Sequence, residues 1–101
     1  RWAGVVPLRA TYDWDPATYH PGVTDASILG VEAPLWSETL VTYRDFEFLA
    51  FPRLLAAAEV GWTPQSARDY DDFRARLALQ GRRLQALGVN FYRSPDVEWV
   101  P

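Results

Sequence analysis

The sequence predicts a piece of an α/β fold that is rich in helix and holds about one β-strand. Apolar residues recur at three- and four-residue spacing over Tyr43–Trp62 and again on the way to Leu87, which is the period of a buried helix face. The run Ile28–Leu35 is short and apolar, with Gly30 inside it and Pro34 near its end, and this suits a strand. A lone strand cannot satisfy its own edges, so it requires a sheet that the 101 residues do not otherwise encode. The chain starts at Arg1 and contains no Met. It is therefore expected to be part of a longer protein.

Arg1–Ala10 reads as a short helix or the end of one, with Trp2, Val5, Val6 and Leu8 as its apolar residues and Pro7 as a breaker. A long ordered loop follows to Ser27, because Asp13, Asp15, Pro16, Pro21 and Gly22 interrupt any period. Ile28–Leu35 is the predicted buried strand, and Trp36-Ser37-Glu38-Thr39 follows where it ends. Within Tyr43–Trp62, Pro52 predicts a kink or two abutting helices, with Gly61 and Pro64 ending the run. Ser66 is the predicted N-cap of the last helix, with Asp69 in its first turn. That helix should bury Tyr70, Phe73, Leu77, Leu84 and Leu87 and stop at Gly88. Val89–Tyr92 reads as a short extended segment and the remainder as irregular.

Composition narrows the function classes. With 49% hydrophobic and 23% charged residues the chain is globular rather than disordered. A net charge of −3 argues against a nucleic-acid partner, and no apolar run approaches the roughly 20 residues of a membrane span. There is no Cys and a single His, which removes disulfides, thiolate metal sites and cysteine nucleophiles. The single His leaves few options for a His-based metal site, and the compartment is not legible. Five Trp in so short a chain suggest a surface that stacks on a ligand.

Trp36 and Glu38 are the sharpest candidate pair. On an extended segment, residues two apart point to the same side, and an indole face beside a carboxylate suits a sugar ring and its hydroxyls. The same spacing also fits a core tryptophan beside a solvated glutamate. Glu32, inside the apolar run, must be paired or hydrogen-bonded if buried; an ion pair or a supporting role behind the site fits it better than catalysis. Arg53 and Glu59 read as structural in the same way. Asp13 and Asp15 flank Trp14 and fit turn chemistry better than an acid/base pair, and His20, beside Pro21, reads as a surface residue. Phosphate-loop, zincin and serine-hydrolase motifs are missing.

The wording of the sequence is more specific than its periodicity. Gly30-Val31-Glu32-Ala33-Pro34-Leu35-Trp36-Ser37-Glu38-Thr39, then Ala50-Phe51-Pro52-Arg53-Leu54 and Ala58-Glu59-Val60-Gly61-Trp62, resembles the C-terminal part of glycoside hydrolase family 20, the β-N-acetylhexosaminidases. Arg1-Trp2-Ala3-Gly4, Tyr12-Asp13-Trp14-Asp15-Pro16 and Asn90-Phe91-Tyr92-Arg93-Ser94-Pro95 look like the bacterial branch. The resemblance covers nearly the whole chain.

It implies that residues 1–101 are an incomplete domain, the C-terminal portion of a (β/α)8 barrel. Ile28–Leu35 would be the last strand, Tyr43–Trp62 the last barrel helix and Ser66–Leu87 a closing helix. It further implies removal of terminal N-acetylglucosamine or N-acetylgalactosamine by retaining hydrolysis, with the sugar's own acetamide oxygen as nucleophile. The family's adjacent Asp-Glu pair has no counterpart in this chain and is expected upstream, so no catalytic residue is assigned here. By resemblance Trp36 packs against the sugar, Glu38 accepts from its 4- and 6-hydroxyls, and Trp2 belongs to the wall around the acetamide methyl. Glu32, Arg53, Glu59, Tyr12 and Trp14 are expected in supporting roles. The implied partners are a carbohydrate substrate, a terminal β-linked N-acetylhexosamine, and the remainder of the chain's own barrel. The competing reading is a non-catalytic sugar-binding or interaction module built from the same segment.

Overall fold

The computed structural model describes residues 5–101. Four α-helices carry it: α1 (Leu8–Tyr12), α2 (Tyr43–Ala50), α3 (Arg53–Trp62) and α4 (Tyr70–Ala86). A core of Leu8, Tyr12, Ala56, Tyr70, Phe73, Leu77, Ala78 and Val97 joins α1, α3, α4 and the C-terminal tail.

Helix α1 starts after Pro7 instead of ending there, and it runs on to Tyr12. The ring fixes φ near the helical value and lacks an N–H, so proline is well suited to a helix entrance. Leu8 and Tyr12, four apart, share the buried face. The following loop is ordered by short 3₁₀ turns; in one, the Asp15 carboxylate accepts from the Ala17 N–H at 3.0 Å. Asp13 pairs with Arg9 at 2.7 Å, so both aspartates have local partners.

The expected buried strand does not form. Ile28 and Trp36 have extended dihedrals, but residues 28–36 join no ladder, and there is no strand among the described residues. The segment is mostly exposed, and Leu29 is fully so. The cause is the lack of partner strands: an apolar run becomes a buried strand only when neighbours take up its edges. Val89–Tyr92 likewise forms no strand, although the Tyr92 N–H donates to the Phe51 carbonyl at 2.9 Å.

The break at Pro52 separates α2 from α3, and the Phe51–Pro52 peptide is cis. Thr42 caps α2 by accepting from the Asp45 N–H at 3.1 Å, and the Asp45 carboxylate accepts in return from the Thr42 N–H at 3.0 Å. The cap of α4 differs from expectation. Asp69, not Ser66, is the N-cap and accepts from the Asp72 N–H at 3.2 Å, while Ser66 lies in a 3₁₀ turn, Gln65–Ala67, entered from Pro64. Asp69 directly precedes Tyr70, the first residue whose burial fixes the helix's rotation. Tyr70, Phe73, Leu77 and Leu84 are buried as predicted, but Leu87 is exposed. Gly88 at φ +75° ends the helix, with its N–H on Gln85 and that of Val89 on Leu84.

The irregular tail packs tightly. Phe91, Ser94 and Val97 are buried, and the Val100 N–H donates to the Ala78 carbonyl at 3.3 Å. Among the described residues no helix is long and apolar enough to cross a membrane.

Candidate functional site

Trp36 sits at the entrance to a 3₁₀ turn, Ser37–Thr39, and is 68% exposed. Glu38 is the middle residue of that turn and is also exposed. The Leu40 N–H closes the turn on the Ser37 carbonyl at 3.1 Å, and the capped start of α2 follows. Extended alternation therefore does not relate the two side chains, because Glu38 lies in a turn with about three residues per revolution. What they share is an exposed turn between the extended segment and α2. Trp2 lies outside the described residues.

The residues expected to be supporting fall into two groups. Tyr12 Oη donates to Glu59 Oε2 at 3.0 Å. Arg76 clamps the same carboxylate with two contacts of 2.8 Å and also donates to Asp72 at 2.8 Å. Such two-pronged Arg–carboxylate contacts fix orientation as well as charge. Burial first, then the hydrogen bond to Glu59, pushes the Tyr12 hydroxyl above its ordinary pKa. The bonds to Glu59 and Asp72 raise that of Arg76. Glu59 thus ties α3 to α1 and α4.

Arg53 opens α3 and is only 6% exposed. Its Nε donates to the Leu49 carbonyl at 2.8 Å and its Nη2 to the Phe48 carbonyl, so one guanidinium caps the end of α2. It also lies over the Tyr92 ring, 5.1 Å from the centroid. Burial lowers its pKa, and its Nη1 is buried without a partner. Arg53, Thr11, Trp14 and Glu32 line a cavity of about 290 Å³. Glu32 is exposed and forms no ion pair among the described residues. Trp14 donates through Nε1 to the Thr11 carbonyl at 2.9 Å, which holds its ring edge against Tyr19.

His20 is exposed, with Nδ1 2.6 Å from the Pro21 carbonyl oxygen. Sequence reasoning missed Arg76, whose i,i+4 spacing from Asp72 was a readable signal. It also missed Arg68, which donates to the Trp14 carbonyl at 2.8 Å across 54 residues, a distance no local pattern encodes. The Tyr70 hydroxyl, bonded to Asp96, was legible only as a core residue.

The family model for glycosyl hydrolase family 20, catalytic domain, matches residues 1–65. A β-N-acetylhexosaminidase of Cellulomonas fimi is 44% identical over 97% of this chain and 20% of its own length. The solved β-N-acetylhexosaminidase of Streptomyces coelicolor superposes with a TM-score of 0.90 at 50% identity, covering 98% of this chain and 20% of that one. A mutant Streptomyces plicatus β-hexosaminidase in complex with its product, GlcNAc, matches at TM-score 0.90 and 49% identity, with the same coverage. The chain thus spans about a fifth of the length of these relatives. By the matched family model and these identities, the chain belongs to glycosyl hydrolase family 20.

Proposed function

We propose that this chain is a C-terminal part of the catalytic (β/α)8 barrel of an exo-acting β-N-acetylhexosaminidase, and that it supplies one wall of the sugar pocket. In this reading residues 28–35 are the last barrel strand, α2 and α3 the last barrel helix, and α4 the closing helix. The open edges of residues 28–36 are then where neighbouring strands pair. Trp36 and Glu38 lie at the C-terminal end of that strand, where barrel enzymes keep their active sites.

The observation that carries the reading is the exposed Trp36–Glu38 turn, leading into the capped start of α2, in a chain that superposes over nearly its full length on hexosaminidases. An exposed indole offers an apolar face to a pyranose, and the carboxylate beside it accepts from hydroxyls. Trp2 completes the wall around the acetamide methyl. Confining the acetamide holds its oxygen close to the anomeric carbon, so the substrate's own group acts as the nucleophile. A carboxylic acid from the Asp-Glu pair, outside this chain, protonates the leaving oxygen. Glu32, Arg53, Glu59, Tyr12 and Trp14 hold the wall in place.

Glu38→Gln in the full-length protein tests the reading. A hydrogen bond to a charged group is worth about 1.5–3 kcal/mol, so kcat/KM on an aryl β-N-acetylglucosaminide should fall roughly 10- to 150-fold. The rise in KM should be accompanied by weaker inhibition by free N-acetylglucosamine. Both parameters staying within about twofold would remove Glu38 from the pocket.

A further inference from the structure

Helix α2 has little core of its own, since Ala50, its last residue, is the one it buries. Its placement falls largely to the C-terminal tail that runs along it. At the far end the Tyr92 N–H donates to the Phe51 carbonyl at 2.9 Å, and the Tyr92 ring meets Phe48 edge-on with centroids 5.2 Å apart. At the near end Asn90 and Arg44 hold each other in both directions. Asn90 Oδ1 accepts from Arg44 Nη2 at 3.0 Å, and Asn90 Nδ2 donates to the Arg44 carbonyl at 3.0 Å. Among the described residues no other hydrogen bond ties the first turn of α2 to a distant part of the chain. That first turn is also the exit of the Trp36–Glu38 turn. Leu40 leads out of it, and the Asp45 carboxylate then accepts from the Val41 and Thr42 N–H groups at 3.2 and 3.0 Å.

We infer that Asn90 is a positioning residue for the sugar pocket: by clamping Arg44 it fixes the start of α2, and with it the turn that carries Glu38. The inference rests on the function proposed above and adds to it a residue from the tail beyond α4. Arg44 lies seven residues from Phe51, about 10 Å along a helix that rises about 1.5 Å per residue. Held at the Phe51 end alone, α2 would need to tilt by only about 6° to carry its first turn through about 1 Å. A binding group must be held to within about 0.5 Å of its productive place, so the far-end contacts do not suffice and the Asn90 clamp supplies the second fixed point.

The test is Asn90→Ala in the full-length protein, read against Glu38→Gln. A hydrogen bond of ordinary net worth shifts an equilibrium by about fivefold. We expect Asn90→Ala to raise KM for an aryl β-N-acetylglucosaminide and the inhibition constant of free N-acetylglucosamine by the same factor, about three- to tenfold. The change in kcat should be under about twofold, since the turn binds the sugar but does not transfer the proton. In a Glu38→Gln background the effect of Asn90→Ala on KM should shrink, because Glu38 is the group it places; a fully additive effect overturns the inference. A lower melting temperature with unchanged KM marks a merely structural contact and overturns it too. Unchanged KM in Asn90→Ala with raised KM in Glu38→Gln overturns it while the proposed function stands; unchanged KM in both overturns the proposed function itself. Should Asn90→Ala fail to fold, Asn90→Asp decides. It still accepts from Arg44 but cannot donate to the Arg44 carbonyl, so a raised KM supports positioning. A wild-type KM, or a second insoluble protein, assigns Asn90 to folding alone and overturns the inference.

Discussion

Gly81 is the point where α4 and the tail come closest, and replacing it with Ala has a calculable result. The new Cβ would lie 2.8 Å from Trp99 Cε3, 3.4 Å from Cζ3 and 3.8 Å from Phe91 Cζ. Carbon atoms pack best at about 3.5–4.0 Å, so the indole must withdraw by roughly 0.7–1.2 Å. Its Nε1 bond to the Ser94 carbonyl at 3.1 Å and its packing on Phe91, centroids 5.1 Å apart, both oppose that movement. Overpacking of this kind costs about 1–3 kcal/mol, and loss of the indole hydrogen bond about 0.5–1.5. Alanine returns about 0.8–1.0 kcal/mol through helix propensity, so the clash wins by roughly 0.5–3.7 kcal/mol. Amide hydrogen exchange in the full-length protein reads this locally. Amides in the middle of α4 should exchange about 2- to 400-fold faster, taking 1.4 kcal/mol as tenfold. In a Trp99→Ala background the obstacle is gone and the sign should reverse, Gly81→Ala then slowing exchange. Unchanged or slower exchange with Trp99 present would refute the claim that the ring is wedged against the helix.

The remaining predictions concern the ties between elements. Tyr12→Phe deletes the 3.0 Å bond to Glu59 but leaves Arg76 on that carboxylate, so urea denaturation should register a loss of only about 0.5–1.5 kcal/mol. A loss above 3 kcal/mol would mean that Tyr12 supports more than this bond. The backbone N–H groups of Thr42 and Val41 hold the Asp45 carboxylate below its ordinary pKa of 3.8. A depressed carboxylate stabilises the fold above its unfolded pKa and loses that contribution as pH falls through the folded value. Protection of the amides in the first turn of α2, taken relative to their intrinsic exchange rates, should therefore fall as pH drops below about 4. Asp45→Asn should flatten that dependence, and an equally steep profile in the variant would show that another group governs it.

Local rules made some features legible and long-range partners hid the rest. Pro52 and Gly88 act through their own backbones, so the helix break and the helix stop could be read directly. Ser66 and Asp69 are both good caps, and three residues of sequence do not choose between them; the burial of Tyr70 does. Ile28–Leu35 has the composition of a strand, but pairing belongs to the sheet and not to the run itself. Trp36 and Glu38 stood out by residue type and wording, whereas the 3₁₀ turn that separates them has no strong local signature. The Tyr12–Glu59–Arg76 cluster spans 64 positions between its outer members, so it could only be seen once the helices were packed.

The guanidinium of Arg53 also makes the join between α2 and α3 indifferent to acidity. It caps two carbonyls of α2 from the first residue of α3 and rests on Tyr92 of the tail. Burial lowers its pKa, but an arginine starts so high that it keeps its proton wherever the protein is folded. A lysine there would bring a compact ammonium that cannot fork between two carbonyls and that sheds its proton readily when enclosed. The direction in which α2 leaves the helix pair, and with it the placement of the turn that feeds α2, is thus set by a charge that does not titrate under physiological conditions.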